Sequence, residues 1–241
     1  MSLTLVVAAA GRGSRMGGGV PKALNQIDGR YLIELSTRTL VGKAQTVVVV
    51  VSPSQRSVFE EHLPQLHGKT VTYVEQEVPN GTTGAALVGL QTAVTEWTIV
   101  VWADHVGASS FDIEWLVAKM HNSKSDICLP LVEISNPYVY FDLDMNGHLC
   151  GFHETRKSAP KVNRGLSDCG TFLFRTASSR QAIEAAIDPT LEDQNLLSLF
   201  PQFVANGISI EILKMDNINL AVGVNTPSEL AKARITFTDS Q

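Results

Sequence analysis

Two stretches set the pattern of the chain. Leu3 to Ala10 and Thr46 to Val51 are almost wholly apolar, the second nearly pure in β-branched residues, as strands buried on both faces of a parallel sheet should be. Between them Leu32, Leu35, Thr39 and Leu40 recur at helical spacing, predicting a helix within Ala23 to Gly42 that ends at the glycine. Ser52-Pro53 then opens a helix to about Leu66, and Thr70 to Glu75 makes a third strand. A helix is expected around Gly84 to Val94, a strand at Trp97 to Trp102 and a helix around Phe111 to Asn122. Strand and helix in alternation predict a parallel sheet with right-handed crossovers.

After about residue 125 the rhythm changes. Ile127 to Ile134, Tyr138 to Leu143, Leu149 to Phe152 and Leu166 to Phe174 read as strands in close succession, with an Asn146-Gly147 turn between the second and third. This is a β-rich insertion expected to form one wall of a cleft. Helices are expected at about Ala177 to Ile187 and Asp193 to Asn206, then strands at Ile208 to Lys214 and Leu220 to Val224. A last helix opens at Thr226-Pro227, a cap followed by proline at the first helical position.

Composition narrows the classes. With 241 residues, 44% of them hydrophobic, one α/β domain is the default, and a net charge of −5 argues against a nucleic-acid surface. No apolar run approaches the roughly 20 residues of a membrane helix, and the first apolar segment reads as a strand, not a signal peptide. Cys128, Cys150 and Cys169 have neither metal-binding nor disulfide spacing, which fits a reducing cytoplasm. A homo-oligomer is left open.

The strand from Leu3 runs into a loop carrying Gly11, Gly13 and Gly17 to Gly19, with the cations Arg15 and Lys22 along it. Glycines let backbone N–H groups approach an anion closely, so the loop is suited to phosphate. It is not a Walker A loop, because Gly42-Lys43 and Gly68-Lys69 lack a glycine five residues earlier. Nor is it a dinucleotide fingerprint: Met16 stands where a third glycine is needed. Asp104, just beyond the strand ending at Trp102, is placed by the carboxyl-end rule for open α/β sheets to face this loop. As a hard oxygen donor it is a candidate Mg²⁺ ligand.

The pattern GxGxRMxxxxPKAL resembles the signature of sugar-phosphate nucleotidyltransferases, most closely the uridylyltransferase domain of the N-acetylglucosamine-1-phosphate uridylyltransferase family. The resemblance implies a Rossmann-like three-layer α/β/α fold with a mixed, mostly parallel sheet, of the nucleotide-diphospho-sugar transferase type. It implies a single domain over residues 1–241: a nucleotide-binding half to about 124, an acceptor-binding part to about 225, and a C-terminal helix over about 226–237. Ala8, Ala9, Ala10, Gly11 and Gly13 would bind nucleotide, with Gln76, Gly81 and Thr82 against a pyrimidine base. The segment Gly223-Val224-Asn225 matches a family element in which the asparagine is the second Mg²⁺ ligand. Glu154, Asp168 and Gly170 match its sugar-binding elements, with Asp168 in place of the usual asparagine. Pro137-Tyr138-Val139-Tyr140 stands in place of a Gly-Tyr-Gly-Arg element, and both departures count against N-acetylglucosamine phosphate as acceptor. The family's enzymes often continue into an acetyltransferase domain, an activity expected to be absent here.

The implied reaction joins an NTP to a phosphorylated small molecule and releases pyrophosphate. A phosphate monoester, with a second pKa of about 6, needs no general base, so positioning and charge neutralisation carry the chemistry. Arg15 would neutralise the departing phosphates, Lys22 would bridge acceptor and α-phosphate, and Asp104 and Asn225 would hold Mg²⁺. A sugar 1-phosphate with UTP is the first expectation. Asp104 to Val106 and Asp168 to Gly170 also resemble CTP-dependent cytidylyltransferases acting on polyol or amino-alcohol phosphates. A nucleotide-sugar-binding protein or glycosyltransferase on the same fold is the alternative of another class.

Overall fold

A computed structural model describes residues 2–11, 13, 16, 19–157 and 159–238. The first strand, β1 (Leu3–Ala8), is followed by a small hairpin of β2 (Gln26–Ile27) and β3 (Arg30–Tyr31), then α1 (Leu32–Thr37). Next come β4 (Thr46–Val51), α2 (Arg56–His62), β5 (Gln65–Leu66), β6 (Lys69–Glu75), α3 (Gly81–Thr92), β7 (Trp97–Trp102) and α4 (Ser110–Asn122). The second half holds β8 (Ile127–Ser135), β9 (Val139–Leu143), β10 (Leu149–Glu154), β11 (Arg164–Asp168), β12 (Thr171–Arg175), α5 (Thr176–Ala186), α6 (Phe200–Ala205), β13 (Ile210–Met215) and α7 (Pro227–Thr238).

One mixed sheet runs in the order β10-β9-β11-β8-β12-β7-β1-β4-β6-β5, with β13 alongside β8. Its strands β7, β1, β4 and β6 are parallel, and β12 joins the second half to them antiparallel to β7. Alternate side chains along a strand point to opposite faces, so each strand feeds two cores. Leu5, Val7, Val49 and Ile99 pack with Ile33, Phe59, Ile113 and Leu116 on one face. Val6, Val48, Val100 and Phe172 pack with Ala86, Leu90, Ile183 and Phe200 on the other. The result is the three-layer α/β/α arrangement. Gly89 of α3 lies so close to β1 that a Cβ there would come within 2.2 Å of the Val6 side chain.

Several expected elements differ. The helix expected within residues 23–42 shrinks to α1, because Asp28 (φ 49°) and Gly29 (φ 78°) form the two-residue turn of the β2–β3 hairpin. The helix expected to reach Leu66 stops at His62, and His67 and Gly68, both at positive φ, turn β5 back onto β6. The single strand expected from Leu166 to Phe174 is broken at Cys169-Gly170, where Gly170 takes φ +63°. Of the helix expected from Asp193 to Asn206, a 3-10 turn at Leu196–Leu199 and α6 form. The strand expected at Leu220 to Val224 is a 3-10 turn, Ile218–Ala221, followed by a bridge from Gly223 to His105.

Candidate active site

Parallel pairing sets the site. Ala8 is level with both Val50 and Trp102, so the chain leaves β1 and β7 side by side, and Asp104 follows two residues beyond β7. His105 pairs with Gly223, and the Val224 N–H donates to the Asp104 carbonyl at 3.0 Å, which brings Asn225 to the same place. Thr226 caps α7 by accepting the Glu229 N–H at 3.2 Å, and Glu229 in turn accepts the Asn225 N–H at 2.7 Å, fixing the asparagine's backbone. From the other side Lys22 reaches in: its Nζ contacts the Asp104 carboxylate and donates to Asn225 Oδ1 at 3.0 Å. Gly13 (φ +59°) permits that approach, since a Cβ there would stand 3.0 Å from Lys22 Cβ.

These groups open onto a cleft of about 590 Å³. Ala8, Ala9, Ala10, Gly11, Gly13, Gln76, Gly81 and Thr82 line one side, Glu154 and Asp168 another, with Lys22, Asp104 and Asn225 also on its walls. Arg15 lies outside the described residues. Gly170 does not line the cleft; it packs under His105, where a Cβ would fall 2.2 Å from the imidazole Cγ. Gln76 donates from Nε2 to Asn80 Oδ1 and to the Gly81 carbonyl, both at 2.9 Å. Gly81 (φ +75°) and Thr83 sit against the 193–195 segment, the Thr83 N–H donating to the Gln194 carbonyl at 3.1 Å.

The lining also contains residues that the sequence reading did not pick out: Trp102, Tyr138, Lys157, Glu192, Asp193 and Asn195. Tyr138 had its signal in the aromatic pair Tyr138 and Tyr140 beside the turn, and Trp102 ends a recognised strand. Glu192 and Asp193 carried none, because the segment before Leu196 is irregular and has no periodicity.

The two buried carboxylates titrate in opposite directions. Burial works to raise the pKa of Asp104, but the Lys22 ammonium and the His105 ring outweigh it and hold the group below its usual range. Burial also dominates at Asp168, and there His105 and the Gly170 N–H oppose it without prevailing, so its pKa is raised.

Among the described residues no cluster of three or more His, Cys, Asp or Glu side chains could hold a metal. The donor set nevertheless suits Mg²⁺. One carboxylate and one amide oxygen converge on a single cationic group, and this ion commonly takes one or two protein oxygens together with phosphates. Among the described residues no helix is long and apolar enough to cross a membrane.

An α/β sheet whose strand-end loops, lysine and carboxylate meet in one cleft has the ligand-binding layout of open α/β domains. Residues 5–170 match the model of the MobA-like NTP transferase domain. The chain therefore belongs to the MobA-like NTP transferase domain family. It is similar to the bifunctional protein GlmU of Ruegeria sp., 26% identical over 249 residues, covering 98% of this chain and 53% of that protein. GlmU of Neisseria meningitidis is 25% identical over 250 residues, covering 100% of this chain and 52% of that protein. The chain spans about half the length of the curated relatives it matches. Among solved structures, the inositol-1-phosphate CTP transferase from T. maritima has a TM-score of 0.78 at 20% identity, covering 98% of this chain and 94% of that one. HddC from Yersinia pseudotuberculosis has a TM-score of 0.71 at 18% identity, covering 97% and 99%. At these identities the likeness concerns the fold.

Proposed function

We propose that the chain transfers a nucleotidyl group from an NTP to a phosphorylated small molecule, with UTP and a sugar 1-phosphate as the pair. The observation that carries this reading is that the cleft joins two walls across one charged centre. Strand-end backbone with Gln76, Gly81 and Thr82 forms one wall, Glu154 and Asp168 another, and Lys22, Asp104 and Asn225 lie on the same cleft. A site holding one finished ligand has no need of a lysine poised against a carboxylate and an amide. Gln76 supports a pyrimidine: its Nε2 is occupied within the chain, so Oε1 is left to accept a base N–H such as N3–H of uracil.

In the proposed reaction an acceptor phosphate oxygen forms a bond to the α-phosphorus, the bond to the bridging β-phosphate oxygen breaks, and pyrophosphate departs. The acceptor is already dianionic near neutrality, so no side chain has to remove a proton. Lys22 moves its ammonium from the Asp104–Asn225 pair onto phosphate oxygens, aligning the reactants and offsetting their charge. Asp104 and Asn225 would hold Mg²⁺, which when bound supplies positive charge to the phosphate oxygens. Arg15 keeps its role beside the leaving pyrophosphate on sequence grounds.

The test is a pyrophosphate-release screen of four NTPs against phosphorylated acceptors. Release that requires both UTP and a sugar 1-phosphate supports the assignment. Release restricted to CTP would overturn the nucleotide choice, and tight binding of a nucleotide sugar without pyrophosphate exchange would overturn the transfer reaction itself.

A further inference from the structure

Asp168 ends β11 and lines the cleft, yet it is 3% exposed. Backbone N–H groups serve its carboxylate, that of Gly170 at 2.9 Å, and no side chain among the described residues forms an ion pair or hydrogen bond with it. The cleft's two lysines are committed elsewhere. Lys22 is held by Asp104 and Asn225, and Lys157 lies 3.2 Å from Glu154. The His105 ring and the backbone N–H groups offset only part of the desolvation penalty of this buried carboxylate.

A ligand group can offset it. A hydroxyl would supply one neutral hydrogen bond, which an asparagine could accept equally well, and would add no charge to the partial compensation that His105 and the backbone give. A protonated amine supplies both the N–H donors and the charge, in a cleft whose lining includes Trp102 and Tyr138. Glu192 and Asp193, exposed at the same cleft, add to the local negative potential.

We propose that Asp168 is a specificity-determining residue that selects an acceptor carrying a protonated amine. This rests on the proposed function only for the assignment of this wall to the acceptor. The shared chemistry is a phosphate and an ammonium on one small molecule, and an amino sugar and an amino alcohol are its two sources.

Calorimetric titration with glucosamine 1-phosphate, glucose 1-phosphate, N-acetylglucosamine 1-phosphate and O-phosphoethanolamine tests it, with and without α,β-methylene-UTP, which blocks turnover. At neutral pH one amine-bearing compound should bind at least roughly tenfold more tightly than the neutral sugar phosphates, as expected of a charge-assisted hydrogen bond. Which of the two amines does so identifies the source. Asp168→Asn should weaken the amine by that factor and so remove its preference over glucose 1-phosphate; a preference retained in Asp168→Asn overturns the inference. Equal wild-type affinity for amine and hydroxyl compounds, or no binding of either amine, overturns the inference whatever the variant does. Selective amine binding without pyrophosphate release from any NTP would uphold Asp168's role and count against the transfer reaction.

Discussion

The Lys22 ammonium joins Asp104 to Asn225, side chains 82 and 203 positions away from it in sequence, and lies 3.0 Å from the asparagine's Oδ1. One flexible cation thus closes the gap between the loop after β1, the end of β7 and the approach to α7. Such a group can offset the Asp104 charge and still be drawn away by phosphate.

Lys22→Met therefore has two separable consequences. Turnover should fall by at least about 100-fold, the usual effect of removing a group that stabilises charge in the transition state. Stability should fall by only about 1–3 kcal/mol, because the Lys22 side chain is 22% exposed and water partly screens the pair. Adding Asp104→Asn should restore part of the stability and none of the activity, as read by denaturant unfolding and steady-state assay.

The two buried carboxylates give opposite pH signatures. Asp104 has a folded pKa below its usual 3.8, so it contributes stability above that value which is lost as pH falls through the depressed pKa. Unfolding measured through the acid range should show a shallower decline in Asp104→Asn than in the wild type. Asp168 has a folded pKa above 3.8, so it favours folding in acid, and that contribution disappears as pH rises through the raised value. Asp168→Asn should accordingly melt higher than wild type at neutral pH and lose that advantage in acid.

Gly81 should tolerate no side chain. It has φ +75°, and a Cβ would lie 2.4 Å from the Gln194 carbonyl oxygen. Gly81→Ala is expected to destabilise by about 2–3 kcal/mol and to weaken nucleotide binding, because it displaces the 193–195 segment. Gly147→Ala is the control: φ is +81° but no atom stands within 4 Å, so strain alone, about 1 kcal/mol, should be seen.

The central strands were legible because burial on both faces demands an unbroken apolar run, and Thr46 to Val51 forms β4 over that very span. Lys22 and Asp104 were legible because a glycine loop and a strand end each have a known place in an open α/β sheet. The hairpin at Asp28-Gly29 carried its own signal, an Asp-Gly pair, which the helical spacing of Leu32, Leu35 and Leu40 concealed. The break at Gly170 was hidden inside a stretch that reads as one strand from Leu166 to Phe174. Its cause is tertiary, the ring of His105 lying where a side chain would point. Glu192 and Asp193 line the cleft next to Gln194, whose carbonyl accepts the Thr83 N–H of α3, a contact that no local pattern encodes.

Phosphorus NMR of the protein with UTP, a sugar 1-phosphate and Mg²⁺ tests the central claim most directly. The expected spectrum loses the triphosphate and acceptor signals together and gains a nucleotide-sugar diphosphate and pyrophosphate in equal amounts, with no change in a sample carrying Lys22→Met over the same interval. Orthophosphate in place of pyrophosphate, or equal conversion by Lys22→Met, would contradict it.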